Sequence, residues 1–222
     1  MIDEILSAPV SSAEAFTDLP DTWLYPEEAA IVANAVDTRR REFSAGRNCA
    51  RTALRRLGLE PGPILTGERG APLWPAGIVG SITHCAGYRA VAVARASDIV
   101  TIGLDAEPNE ILPDGVFDLV SLPGEHRGLR DCADIAPDIC WDRLLFSAKE
   151  AVYKAWFPLT GRWLGFEEAE ITFCSAEGTF AARLLVPGPR VGGRELAGFT
   201  GRWLVRDGLM LTALAVSSWS RD

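Results

Sequence analysis

Lysine is nearly absent from this chain. Of its 22 basic residues only Lys149 and Lys154 are lysines, and the rest are arginines. Histidine is equally scarce, with His84 and His126. Basic excess is missing too. The net charge is −8 at pH 7, which argues against a general nucleic-acid binder, since those usually carry surplus positive charge. No apolar run reaches the roughly 18 residues that crossing a bilayer requires. The acidic start, Met1-Ile-Asp-Glu-Ile, lacks the basic and then apolar pattern of a secretory signal. The five cysteines (Cys49, Cys85, Cys132, Cys140 and Cys174) are odd in number and scattered, with no C-x-x-C pair. That spacing predicts reduced thiols in a cytoplasm, not a disulfide framework or a zinc site. With 48% hydrophobic and 23% charged residues, the chain is expected to be globular and soluble. It fits one large unit or two small ones, and is long enough for a sizeable core.

The positive charge that is present is unevenly spread, with seven of the 22 basic residues between Arg39 and Arg56. A local basic patch on an acidic chain suits a small polyanion better than a duplex. Val10, Phe16 and Leu19 are placed to begin a strand. Pro26-Glu-Glu then opens a helical stretch through Ile31, Val32, Ala35 and Val36 towards Arg39, with acids in its first turn as the helix dipole favours. A second helix is predicted from about Ser44 to Leu57, stopping at Gly58. Arg47, Arg51 and Arg55 lie four apart on one of its faces. Like charges so placed repel, so either solvent screens them or an anion sits there.

Gly67-Glu-Arg69-Gly70-Ala-Pro-Leu-Trp74-Pro reads as loop and turn. Gly77-Ile-Val-Gly80-Ser81-Ile-Thr83-His84-Cys85 follows, a short apolar strand ending in small polar residues and a histidine. Small residues let a backbone approach a ligand closely, and the Gly-Ser-x-Thr-His context admits an anion site as readily as a structural histidine. His126 has no comparable context. Tyr88 to Ala96 and Ile99 to Asp105 read as two strands of a hairpin. At the end of the second stands Gly103-Leu-Asp105-Ala-Glu107-Pro, whose two carboxylates, two residues apart on a strand, share a face. Such a pair is costly unless a cation joins it or one acid is protonated. Oxygen-only ligation suits Mg²⁺, and the plain alternative is a strand ending in solvated acids.

Residues 108–140, rich in Pro, Asp and Gly, predict a mobile connection with one short helix at most. Trp141 to Trp156 then predicts a helix with Leu145, Val152 and Trp156 inward, leaving a polar stripe that holds Glu150 and Lys154. Those two lie four apart, within reach of each other, and read either as a surface ion pair or as functional groups. An aromatic-rich turn follows to Phe166. Strands are expected at Glu170–Cys174, Thr179–Val186, Trp203–Val205 and Leu209–Val216. The order of helices and strands, in two comparable halves, favours α+β. Asp105, Glu107 and Glu150 together with Arg39, Arg47, Arg69, His84 and Lys154 suggest metal-assisted phosphoryl chemistry on a bound polyphosphate.

Four ordered motifs carry a resemblance. Gly103-x-Asp105-x-Glu107, followed by Phe146-Ser-Ala-Lys149-Glu150-Ala-Val-Tyr-Lys154-Ala, resembles the paired signature of phosphopantetheinyl transferases. Arg40-Arg-Glu-Phe-x-x-Gly-Arg47-x-Cys-Ala-Arg and Trp74-Pro-x-Gly-x-x-Gly80-Ser81-Ile-Thr83-His84-Cys85 are similar to the same family. The likeness runs from about Arg39 to Phe173, and Pro158 to Phe166 resembles the actinobacterial members of its single-chain, broad-specificity type.

The resemblance implies transfer of the phosphopantetheine arm of coenzyme A to a serine of an apo acyl or peptidyl carrier protein, releasing adenosine 3′,5′-bisphosphate. It implies an α+β pseudo-dimer of two similar halves, 1–108 and 109–222, with coenzyme A in the cleft between them. Asp105, Glu107 and Glu150 would hold Mg²⁺, with Mn²⁺ as the alternative ion. Ala106 would meet the metal only through its backbone or a water. Glu150 would be the general base, directly or through water, with a relay through Glu107 also open, and Lys154 would assist the leaving group. Arg39, Arg47 and His84 would hold phosphates, especially the 3′-phosphate, with Lys149 and Lys154 also on the coenzyme side. Arg69, Gly70, Ser81 and Thr83 would shape the adenine and ribose site. Thr66 stands where relatives often carry a lysine and is left out of the phosphate contacts. A cytoplasmic monomer is expected. The competing readings are a metal-dependent nuclease or phosphohydrolase, and a non-catalytic coenzyme A or nucleotide sensor.

Overall fold

The computed structural model describes residues 1–17 and 23–218. Its first part holds strand β1 (Ser11–Ala15), helices α1 (Pro26–Ile31) and α2 (Asp37–Arg56), and short strands β2 (Leu65–Thr66) and β3 (Pro72–Leu73). Strands β4 (Ile78–Cys85), β5 (Tyr88–Arg95) and β6 (Ile99–Pro108) follow. Then come helices α3 (Val116–Val120), α4 (Glu125–Ile135) and α5 (Trp141–Thr160), and strands β7 (Ala169–Cys174) and β8 (Thr179–Leu184). The short pair β9 (Arg190–Val191) and β10 (Arg194–Glu195) and the long pair β11 (Gly198–Arg206) and β12 (Leu209–Ser217) complete the chain. The class is α+β, in agreement with the sequence.

Several boundaries differ from the sequence pattern. β1 occupies 11–15, flanked by Val10 and Phe16, while Leu19 lies outside the described residues. α1 stops at Ile31 and a separate α2 begins at Asp37, seven residues before the expected start. The first turns of α2 carry Thr38 and Arg39 to Arg41, which have no apolar period, yet arginine is a good helix former. The stretch 108–140 holds two helices where a mobile connection was expected, and His126 lies on the second of them. α5 runs on through Pro158 to Thr160, taking in the start of the expected aromatic turn.

The predicted hairpin of β5 with β6 does not form. β5 pairs with β4 across a tight turn at Gly87, whose φ of +76° suits a residue without a Cβ, and with β1 on its other edge. With both edges occupied it has no hydrogen bonds to offer β6. β6 instead enters a five-stranded antiparallel sheet in the order β6-β12-β11-β8-β7, while β1-β5-β4 form the smaller sheet.

Alternation along Tyr88-Arg-Ala-Val-Ala-Val-Ala-Arg95 serves two cores at once. Val91 and Val93 pack under Cys49, Ala50, Ala53 and Leu54 of α2. On the opposite face Ala90, Ala92 and Ala94 meet Ile102, Leu104 and Ala106 of β6 with Leu211 and Ala213 of β12. A third core forms where Leu144, Leu145, Ala148, Val152 and Trp156 of α5 cover Phe180, Met210 and Leu214.

β6 is therefore packed on both faces, and α5 crosses its far side closely. A Cβ built on Gly103 would stand 1.9 Å from the Ala151 carbonyl oxygen, and the Thr101 hydroxyl donates to the Ala155 carbonyl at 2.8 Å. Gly103 is in the motif because the helix backbone takes the space of a side chain. Gly103→Ala is expected to lower stability by about 1–3 kcal/mol, the usual cost of overpacking. Thermal or urea unfolding measures it, and an unchanged midpoint would contradict the close approach.

Candidate active site

Five charged residues meet where α5 crosses β6. Asp105 and Glu107 project from β6 towards the helix, as the strand period requires. Lys154 Nζ donates to Asp105 Oδ1 at 2.6 Å, choosing the strand over Glu150 of its own helix. Arg143 Nη1 donates to Glu107 Oε2 at 3.0 Å, and the rest of its guanidinium is tied to the carbonyls of Glu110 and Ile111. Glu150 lies between these two cations along the helix. Burial pushes its carboxyl above the ordinary 4.5, and the Asp105 charge adds to this against Lys154. Burial likewise raises Glu107, with the Asp105 charge adding and Arg143 opposing. Thr83 at the end of β4 closes the group, accepting from the Ala106 amide at 3.0 Å and donating to Asp105 Oδ1 at 3.3 Å.

Among the described residues no three or more His, Cys, Asp or Glu side chains stand together as a ready metal site. The reason is visible: each strand acid is held by a cation. The donor set nevertheless fits a hard divalent ion. Among the described residues no hydrogen-bond partner meets the buried Asp105 Oδ2, and burial together with the Asp105 charge raises Glu107 and Glu150, a cost that a further cation would relieve. Ala106 supplies no side-chain ligand; its methyl packs in the core between the sheets.

A cleft of about 480 Å³ opens beside these residues, lined by Arg69, Gly70, Ser81, Glu150, Tyr153 and Lys154 together with Trp74 and Phe157. A smaller hollow of about 150 Å³ adjoins it through Gly70, Pro72 and Ile82, and is lined by Arg39, Glu42, Arg47, Thr66 and His84. Arg69 takes a left-handed φ of +53° and lays its guanidinium 5.7 Å from the Trp163 ring across the mouth. The outer face of the large sheet carries a groove of similar volume, but it is lined by Thr172, Phe180 and Thr200 without any carboxylate.

The arginines of α2 divide. Arg51 is buried against Glu28, with Nη1 donating to both carboxylate oxygens at 3.1 and 2.8 Å, so it is neither screened by solvent nor open to an anion. Arg47 is buried as well, with Nε donating to the Ile64 carbonyl at 2.7 Å and Nη2 to the Thr66 hydroxyl at 3.1 Å. Burial draws it down to about 10, still charged at neutral pH. Arg39 Nη1 lies 3.0 Å from His84 Nε2. A guanidinium can only donate, so Nε2 accepts and the proton resides on Nδ1. That neutral form accords with burial, Arg39, Lys154 and Arg89, which lower His84 against the pull of Glu42.

Arg69, Gly70, Ser81, Glu150 and Lys154 thus line the cleft and Arg39, Arg47, Gly70 and His84 the adjoining hollow, while Asp105 reaches the cleft through Lys154 and Thr83, and Glu107 is held by Arg143. Lys149 departs from the expectation of a coenzyme contact. Its ammonium is buried, donating to the Val120 and Phe166 carbonyls at 2.8 Å each and pairing with Glu125 at 3.1 Å. It secures α5 to its neighbours instead of facing the phosphate-sized hollow. Arg143 escaped the sequence reading, although it precedes Glu150 by seven and Lys154 by eleven, both helical same-face spacings. Glu125 and Glu28 carried no such signal.

Two family models cover most of the chain: the 4′-phosphopantetheinyl transferase N-terminal domain matches residues 27–94, and the 4′-phosphopantetheinyl transferase superfamily matches residues 101–190. The chain belongs to the 4′-phosphopantetheinyl transferase family and is an enzyme of that class. Among individual proteins it is similar to 4′-phosphopantetheinyl transferase Svp of Streptomyces mobaraensis, at 58% identity over 98% of this chain and 90% of that protein. It is 53% identical to Npt of Nocardia iowensis over 97% of this chain and 99% of that protein. It is also 49% identical to PptT of Mycobacterium tuberculosis, over 92% of this chain and 91% of that protein.

The raised Glu150 makes a pH prediction. Below the ordinary carboxylate value of 4.5 the acid is protonated in both folded and unfolded chains. As pH rises from there through its higher native value, the unfolded chain ionises first and stability is lost. In metal-free protein Glu150→Gln should therefore raise the melting temperature at neutral pH, with the gain fading below pH 4.5. An equal gain at all pH values would show that the charge is not its source.

Proposed function

We propose that this enzyme transfers 4′-phosphopantetheine from coenzyme A to a serine of an apo acyl or peptidyl carrier protein, leaving adenosine 3′,5′-bisphosphate. The observation that carries this reading is that the cleft lined by Glu150 and Lys154, with Asp105 held by Lys154, adjoins the hollow lined by Arg39, Arg47 and His84. The two halves would form a pseudo-dimer, and since β6 joins the sheet beneath α5, the division would fall between β5 and β6 and not near residue 108 as expected. Support comes from the repeated plan of a 20-residue helix laid on an antiparallel sheet, α2 on the small sheet and α5 on the large one. No helix among the described residues is long and apolar enough to cross a membrane. A cytoplasmic monomer remains our expectation.

In the proposed reaction the carrier serine oxygen attacks the pyrophosphate phosphorus that bears the pantetheine arm. A new P–O bond forms as the P–O bond to the adenosine bisphosphate breaks. Glu150 accepts the serine proton, directly or through one water, with Glu107 open as a relay. A cation bound beside it would lower its affinity for protons and weaken it as a base, which is why the routes through water or Glu107 stay open. Lys154 stands within reach of Asp105 and can turn its ammonium to the charge that develops on the leaving phosphate. Asp105, Glu107 and Glu150 would hold Mg²⁺, or Mn²⁺, which supplies charge neutralisation on the pyrophosphate when bound. Arg39, Arg47 and His84 would hold the 3′-phosphate, while Arg69, Gly70, Ser81 and Thr83 would border the adenosine. Contact of the metal with Ala106 would run through its backbone or a water.

Intact mass spectrometry of an apo carrier protein, incubated with the enzyme, coenzyme A and Mg²⁺, should show the gain of one phosphopantetheine group. EDTA, or a serine-to-alanine carrier, should abolish the gain. Asp105→Asn and Glu150→Gln should abolish it too while retaining a cooperative melt. Hydrolysis of coenzyme A without carrier modification would instead support a phosphohydrolase. Arg39→Ala should raise KM for coenzyme A about tenfold with kcat little changed, since a charged contact shared by ground and transition states is removed. A fall in kcat with unaltered KM would refute that role.

A further inference from the structure

The motif Arg40-Arg-Glu-Phe contains a residue that the proposed function leaves without a task. Glu42 lines the same hollow as Arg39, Arg47 and His84. Its carboxylate oxygens lie 3.9 Å from Arg39 Nη1, 3.7 Å from His84 Nδ1 and 3.9 Å from Arg89 Nη2. All three separations exceed hydrogen-bond length, so the attraction is electrostatic and without directional bonds. Glu28, its neighbour in the same part of the fold, shows what a structural carboxylate looks like here. Glu28 is fully buried, gripped by Arg51 at 2.8 Å and bonded by the amides of Tyr25 and Ile64. The Glu42 side chain keeps 21% of its exposure and stands loosely between the cations Arg39 and Arg89, with the Nδ1–H of neutral His84 also turned towards it.

We propose that Glu42 is a built-in competitor of the ligand's 3′-phosphate, a carboxylate that occupies the cation cluster electrostatically and sets the threshold for what may enter it. The inference rests on the reading above that this hollow receives that phosphate. A phosphate makes short, charge-assisted hydrogen bonds to arginine, which outcompete separations of nearly 4 Å. It must still approach a like charge. A free inorganic anion has only the hollow to hold it and is turned away. A ligand whose adenosine and pyrophosphate are already seated in the adjoining cleft has the extra binding energy to displace Glu42. The residue thereby couples occupancy of the two compartments, and selects a 3′-phosphorylated nucleotide over loose phosphate.

Calorimetric titration of wild type and Glu42→Gln with coenzyme A, 3′-dephospho-coenzyme A and inorganic phosphate tests this, with Glu42→Ala as the second variant. Glutamine keeps the shape and removes the charge. Both variants should bind coenzyme A about three- to tenfold more tightly than wild type at low salt, with a smaller difference at high salt. Both should also gain affinity for inorganic phosphate, and neither should change towards 3′-dephospho-coenzyme A. A residue that only holds the fold together would shift the melting temperature and leave that selectivity unmoved. If wild type prefers coenzyme A to its dephospho form and the variants bind coenzyme A no better, the Glu42 proposal is wrong while the site assignment stands. If wild type shows no such preference, the phosphate assignment falls and takes the proposal with it.

Discussion

The contact between α5 and β6 is the constraint on which the remaining structure depends. A helix lies at its ordinary distance from a sheet when side chains separate the two. Here Gly103 removes that separation, and the Thr101 hydroxyl fastens to a helix carbonyl. The depth of the contact brings Lys154 and Arg143, one helix apart by three turns, onto two carboxylates of one strand. Ser147 of the same helix is tied to Thr212 of β12, so the helix cannot slide along the strand without breaking both. Because the opposite face of β6 packs against β5, the position of Asp105 and Glu107 is dictated from both sides.

Charge in this protein falls into two populations. Glu28 with Arg51 and Glu125 with Lys149 are fully buried and hydrogen-bonded to backbone as well as to each other. Such pairs cost desolvation on forming but penalise any arrangement in which one partner is lost, so they specify geometry more than they add stability. The charges around the cleft are only partly enclosed: Lys154 is 27% exposed, and Glu42 meets its neighbours at 3.7 to 3.9 Å. Among the described residues Asp105 has one buried oxygen that no hydrogen-bond donor meets, a costly arrangement in a folded protein.

How far the sequence could be read follows from the kind of signal each feature leaves. α5 was legible because its apolar period is strong. The Asp105 and Glu107 pair was legible because a strand places alternate residues on one face. The partner of β6 was not, since hairpin reasoning favours the nearest strand in sequence and cannot see that β1, some 70 residues earlier in the chain, already fills the free edge of β5. The fates of Arg47 and Arg51 were equally hidden. Their spacing describes a basic stripe, whereas their burial depends on Glu28, Ile64 and Thr66 arriving from elsewhere. Lys149 and Lys154 look alike in the motif, and only the packing of α3 and α4 separates an internal fastener from a group at the cleft.

The scarcity of lysine acquires a practical meaning once these positions are known. Two side-chain amines exist in the sequence, those of Lys149 and Lys154. The Lys149 side chain is 2% exposed and paired with Glu125. Lys154 is 27% exposed and opens onto the cleft. Of the lysine nitrogens only the one at the cleft is open to solvent, so a reagent that acylates or reductively alkylates lysine would act on this molecule as an affinity label, without being designed as one.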